Sequence, residues 1–250
     1  MHDPDTEQLI AREDWLDSGF GRHVLAAEQE LLAGLLPGLF GFHLMQIGMS
    51  RRVTLHEHSV IRHRFQLSRV PSSPGVSAVS APEALPFEPD CIDVALLHHT
   101  LEYSPDPHQM LRETARVLVP HGHLLVLGFN PWSLFGLSSL PGRYLGHPVW
   151  RSRLLGVRRV ADWLQLLGFE VDSVQYRVYA PPTQHPGVLS RVGPLERLGQ
   201  RLTLPVGSVY LIHALKEQSA ITPVRNLRWR APRLSGVSLA RPAARNPTLH

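Results

Sequence analysis

Residues Ile92–Leu97 form an almost unbroken apolar run, Ile-Asp-Val-Ala-Leu-Leu. A strand of that composition needs cover on both faces, which is the situation of a central strand in a parallel sheet. Asp106-Pro107 opens a helix after it, with Asp as N-cap and Pro at the first helical position. Leu111, Ala115 and Leu118 supply its buried face, and Pro120-His121-Gly122 ends it. Leu124–Leu127 reads as the following strand. Strand, helix and strand in that order restrict the chain to an α/β architecture with a largely parallel sheet.

The flanks extend the pattern. Val24, Ala27, Leu31 and Leu35 recur near helical period, which predicts a helix over about 21–36, stopped by Pro37-Gly38. Phe42–Ile47 reads as a buried strand ending at Gly48. Val60–Phe65 permits a second strand and Val76–Val79 a third. Val160, Trp163, Leu164 and Leu167 mark an amphipathic helix, with Gly168 in place for a left-handed cap. Phe169–Ala180 and Gly207–Leu215 read as further strands, and residues 1–17 as mostly irregular.

Apolar residues make up 43% of the 250, enough for one large α/β domain. The net charge of +4 is unevenly placed: residues 218–250 hold six arginines and no acid. That tail lacks apolar periodicity and is expected to be disordered. Its arginines offer weak contact with nucleic acid or another anionic surface. Acids from Asp3 to Asp14 are the reverse of a secretory leader, and no run approaches the ~20 apolar residues of a transmembrane segment. A single cysteine, Cys91, fits a reducing compartment, so a cytoplasmic location is expected.

One segment carries most of the functional information. Leu85-Pro86-Phe87 precedes Ile92-Asp93-Val94-Ala95, then Leu101-Glu102, then Arg116-Val117-Leu118-Val119-Pro120-His121-Gly122. In order and spacing this resembles the methyltransferase type 11 group of the class I S-adenosylmethionine (SAM) dependent methyltransferases, and the wider chain resembles its bacterial YafS-type branch. The resemblance implies a Rossmann-like methyltransferase fold: a doubly wound, mostly parallel seven-stranded sheet with an antiparallel last strand. It also implies SAM as cofactor. The domain is expected over 40–216, with an N-terminal helical segment at 1–39 packed on it. An apolar, lid-like insertion is expected at 131–156, and the basic tail at 217–250.

The family carries an acid and then Gly-x-Gly-x-Gly after its first strand; this chain has Gln46-Ile47-Gly48-Met49-Ser50-Arg51-Arg52. Gly48 and Gln46 are the cofactor candidates there. In the third loop Ala81 replaces the adenine-side acid, leaving Glu83, Ala84 and Leu85 as candidates. Leu97 and His98 stand at the end of the fourth strand, at the expected mouth of the site. His98, His99 and Glu102 are the candidate catalytic residues. Neighbours on a strand point to opposite sides, so at most one of the two histidines is expected to face a ligand. His56-Glu57-His58 lacks metal-site spacing, and no metal is expected.

Two functions follow. One is methyl transfer from SAM to a small or hydrophobic acceptor. The other is a methyltransferase fold that has lost catalysis and serves as a binding or regulatory module, a reading favoured by the substituted acids and glycines.

Overall fold

A computed structural model of the chain describes residues 4–69, 78–138, 153–183, 193–202 and 204–217. The expected basic tail and most of the 131–156 insertion lie outside these residues. The sheet has seven strands: β1 (His43–Gly48), β2 (His63–Ser68), β3 (Ala78–Val79), β4 (Ile92–His98), β5 (Leu118–Phe129), β6 (Phe169–Arg177) and β7 (Val209–Lys216). Their spatial order is β3-β2-β1-β4-β5-β7-β6. Strands β1 to β5 are parallel neighbours, and β7 runs antiparallel between β5 and β6. The reversed last strand expected from the resemblance is present.

Alternation along the central strands sends side chains to two separate cores. Met45, Ile47, Ala95 and Leu97 pack on one face with Met110 and Leu111 of α3 (Pro107–Val117) and Val160 and Leu164 of α4 (Val157–Leu166). Leu44, Val94 and Leu96 pack on the other face with Val24, Leu31 and Leu32 of α2 (Gly19–Leu35). Asp106 caps α3 as the sequence predicts, accepting from the Gln109 amide at 2.9 Å. Gly168 closes α4 with a φ of +80°.

Three expectations are corrected. Residues 4–16 are helical (α1, Pro4–Leu16) rather than irregular. Leu9, Glu13 and Leu16 are its buried positions, and the carboxylate in that stripe breaks the apolar pattern a sequence reading looks for. The α3 helix stops at Val117, and β5 runs twelve residues through Pro120-His121-Gly122 instead of starting at Leu124. A register shift between Ile92 and Val94 absorbs the extra residues, with His121 at φ +63°. A further helix, α5 (Gly193–Leu202), follows β6 where no element is expected.

The family motif has structural tasks. Asp93 accepts from the amides of Phe42 (2.9 Å) and His43 (2.8 Å), tying the start of β1 to β4. Arg116 donates to the carbonyls of Phe87 (2.8 Å) and Leu85 (3.0 Å) and pairs with Glu113, latching the loop before β4 onto α3. Replacing Asp93 by Ala orphans two amides, and hydrogen bonds to a charged group contribute ~1.5–3 kcal/mol each at most. Urea unfolding of Asp93→Ala is expected to show a loss within that range; an unchanged midpoint contradicts this account of the motif.

Candidate functional site

The C-terminal ends of β1, β2 and β4 border a cleft of about 620 Å³, part of it open to solvent. Ligands of open α/β sheets bind at this edge, where chain direction splits. Ile47, Gly48 and Met49 line it from β1, Ser68 and Arg69 from β2, and Thr100, Tyr103 and Ser104 from the loop after β4. Gln8, Leu9 and Arg12 of α1 roof it. The Arg12 guanidinium lies over the Tyr103 ring, 4.6 Å from its centroid, so the roof rests on the β4 loop.

The loop after β1 is held by side chains instead of a run of glycines. Glu13, buried on α1, accepts from the Ser50 hydroxyl (3.4 Å) and the Arg51 amide (3.0 Å), and pairs with Arg51 and Arg52. Burial alone would raise its pKa; the bonds and charges of the two arginines outweigh burial and hold it below the usual carboxylate range. Gln46 accepts from the Leu55 amide (2.9 Å) and donates to the Val53 carbonyl (2.7 Å). It is buried and spent on the 53–56 segment. A Cβ on Gly48 would lie 3.2 Å from the Ser50 carbonyl, so the tight turn favours glycine there.

Of the other sequence candidates, Glu83 lines the cleft. It accepts from Arg69 (2.5 Å) and from the Ser104 hydroxyl (2.6 Å). Ala84 is exposed, whereas Leu85 and Leu97 are buried in the α3-side core; none of the three is a lining residue.

His98, His99 and Glu102 come together behind the cleft, in a buried cluster with Glu28 of α2. His98 Nε2 is 3.0 Å from Glu28 Oε2, and His99 Nε2 is 2.6 Å from Glu28 Oε1. His99 Nδ1 lies 3.2 Å from Glu102 Oε2, and the other Glu102 oxygen accepts from the Phe129 amide. Both histidines therefore face one carboxylate, contrary to the alternation rule. His99 leaves the strand with a φ of +53°, which turns its ring back to the side of His98. Glu28 was missed: it sits on the buried stripe of α2 beside Val24 and Leu31, and a carboxylate there is the available signal.

Charge in this cluster is unequally shared. Burial works against ionised Glu28, yet His99 and His98 outweigh it and bring its pKa down to about 2. Burial also disfavours the His99 cation, and Glu28 and Glu102 overcome it, pushing His99 up to about 9. His98 is pushed down by burial, so it stands neutral and donates its Nε2–H to ionised Glu28. That tautomer leaves Nδ1 bare, consistent with its having no partner among the described residues. Burial raises Glu102. One oxygen of Glu28 and one nitrogen of each histidine lie within 4.8 Å of one another, a spacing a cation could use, but hydrogen bonds already join all three.

Fold and cleft together define the class I methyltransferase architecture, and the family model for the methyltransferase domain matches residues 34–126. The chain belongs to the YafS-type family and carries the methyltransferase type 11 domain match over those residues. Over 183 residues it is 33% identical to the uncharacterized protein YafS of Escherichia coli (strain K12), spanning 73% of this chain and 75% of that protein. A SAM-dependent methyltransferase from Thermotoga maritima superposes with a TM-score of 0.59 at 22% identity, covering 82% of this chain and 94% of that one. Another from Mesorhizobium loti gives 0.51 at 18%, covering 74% and 96%. At these identities the two structures speak for the fold. Among the described residues no helix is long and apolar enough to cross a membrane.

Proposed function

We propose that the chain is a methyltransferase that binds SAM in the cleft roofed by α1 and methylates a small acceptor at its open end. The observation carrying this reading is Thr100, a cleft-lining residue whose buried Oγ1 has no hydrogen-bond partner among the described residues. Such an atom costs free energy unless a ligand answers it. The lining fits the cofactor: Thr100, the Gly48-Met49 backbone, the Glu83 carboxylate and the Arg12 guanidinium would hold its polar groups. SAM supplies a methyl group already activated on a sulfonium, so the protein needs chiefly to position it and exclude water.

Among the described residues no unpaired carboxylate or exposed imidazole borders the site to take a proton. The carboxyls bordering the site are Glu83, held by Arg69 and Ser104, and Glu102, held by His99 and the Phe129 amide. Both cluster histidines are sealed behind the cleft. An acceptor that arrives already deprotonated suits such a lining. Exposed Trp132, Leu134 and Leu137, just beyond the C-terminal end of β5, favour an apolar body on that acceptor.

Titration calorimetry with SAM and S-adenosylhomocysteine tests the reading; absence of binding by both at millimolar ligand overturns it. Thr100→Val sharpens the test. Removing an unpartnered hydroxyl should leave stability unchanged or slightly improved, while losing one ligand hydrogen bond weakens binding about 5–10-fold. The second reading, a binding module without catalysis, is favoured by Arg69. It stands at the end of β2, where the family fold places an acid for the ribose. Tight cofactor binding without turnover on any acceptor would support that reading.

A further inference from the structure

Beside the cofactor cleft lies a second recess of about 860 Å³, open to solvent and sharing Gln8, Arg69, Tyr103 and Ser104 with it. Glu102, Pro105 and Arg153 complete the wall. Its walls carry two arginines and one buried carboxyl. Arg69 and Arg153 line it, and Arg12 stands in the adjoining cleft. The opposing carboxylates are committed: Glu83 to Arg69 and Ser104, and Glu102 to the buried cluster. Arg153 is anchored by its backbone, its amide donating to the Glu102 carbonyl at 2.9 Å. Its side chain is exposed, and among the described residues no group pairs with its guanidinium. Glu83 occupies one terminal nitrogen of Arg69, and a guanidinium has five donors, so others stay open to a ligand.

Resting on the SAM reading of the neighbouring cleft, we infer that this recess is the acceptor subsite and that it takes a molecule bearing a carboxylate. Two arginine forks match a carboxylate in charge and in planar geometry. A cationic amine would meet like charge. A carboxylate is also ionised at neutral pH, so its oxygen can form the new O–CH3 bond as the S–CH3 bond of SAM breaks, leaving S-adenosylhomocysteine and no proton to remove. The negative charge is thus a requirement set by the protein, and the apolar remainder of the acceptor is set separately by the wall at Tyr103 and Pro105.

The full chain is titrated first with S-adenosylhomocysteine, then, saturated with it, with benzoate, benzamide and inorganic phosphate. Benzoate is expected to bind about tenfold or more tightly than benzamide, the order of one charge-assisted contact. Arg153→Gln is expected to weaken benzoate about fivefold or more while leaving S-adenosylhomocysteine within about twofold, and Arg153→Lys to recover part of the loss. Equal binding of benzoate and benzamide, or an unaltered Arg153→Gln, overturns the inference and leaves the cofactor reading standing. Phosphate binding more tightly than benzoate overturns the carboxylate assignment. Benzoate binding with no S-adenosylhomocysteine binding overturns the acceptor role along with the proposed function.

Discussion

Replacing Glu28 by Gln is expected to destabilise the protein by about 3–5 kcal/mol, the cost of removing one partner from a buried ion pair. An amide in place of the carboxylate brings a donor toward two histidine nitrogens, both 3.0 Å or closer to Glu28, so at least one N–H loses its acceptor. The His99 cation loses the charge that does most to sustain it. For a domain of this size each kcal/mol moves the melting temperature by ~2–4 °C, so a fall well over 5 °C is predicted. Thermal and urea unfolding check it; a melting temperature within a degree or two of the parent contradicts the role assigned to the cluster.

The same cluster sets a pH signature. A histidine raised to about 9 in the folded state contributes stability that is complete below its ordinary value near 6.5. That contribution is lost as pH rises through 9. Glu28, lowered to about 2, contributes stability present above its ordinary value of 4.5, lost as pH falls toward 2. His98, kept neutral by burial, acts in the opposite direction below 6.5. Melting temperature should therefore decline between pH 6.5 and 9 in the parent. In His99→Asn that decline should be largely absent, and a parallel decline in both proteins would remove His99 as its source.

The second large effect concerns Glu13. Its substitution by Ala removes the acceptor for the Ser50 hydroxyl and the Arg51 amide, and the counter-charge for a largely buried Arg51. A loss of about 3 kcal/mol in stability is expected. Because the same atoms shape the turn at Gly48–Arg52, S-adenosylhomocysteine affinity should fall about tenfold or more as the loop loosens. Glu13→Gln preserves acceptor oxygen without the charge and should fall between parent and Ala variant. Urea unfolding and calorimetry on the three proteins separate the two effects; full cofactor affinity in Glu13→Ala would detach α1 from the site.

The central sheet was the legible part, because each signal there is local. The apolar run at Ile92–Leu97, the Asp106-Pro107 cap and the Gly168 stop each act within a few residues of their own position. The site was less legible. Glu13 reaches Arg51 across 38 residues, and Glu28 reaches His98 across 70. Each is a carboxylate inside an otherwise apolar helix stripe, where a pattern search registers an interruption and tertiary structure supplies the partner. The His98–His99 pair misled for a different reason: the alternation rule holds for extended backbone, and His99 has already left it. Gln46 illustrates the limit of motif position, since a residue standing where a family's acid stands can be spent on its own loop.

The insertion of β7 between β5 and β6 has a consequence for synthesis. Until residues 209–216 leave the ribosome, β5 presents one unpaired edge along its length, and β6 has no neighbour at all in the sheet. The mostly apolar edge His123–Phe129, which β7 covers in the finished protein, invites pairing with other chains while it is open. The nascent protein thus passes through a stage, roughly 80 residues long by the spacing of β5 and β7, in which that edge is open to mispairing.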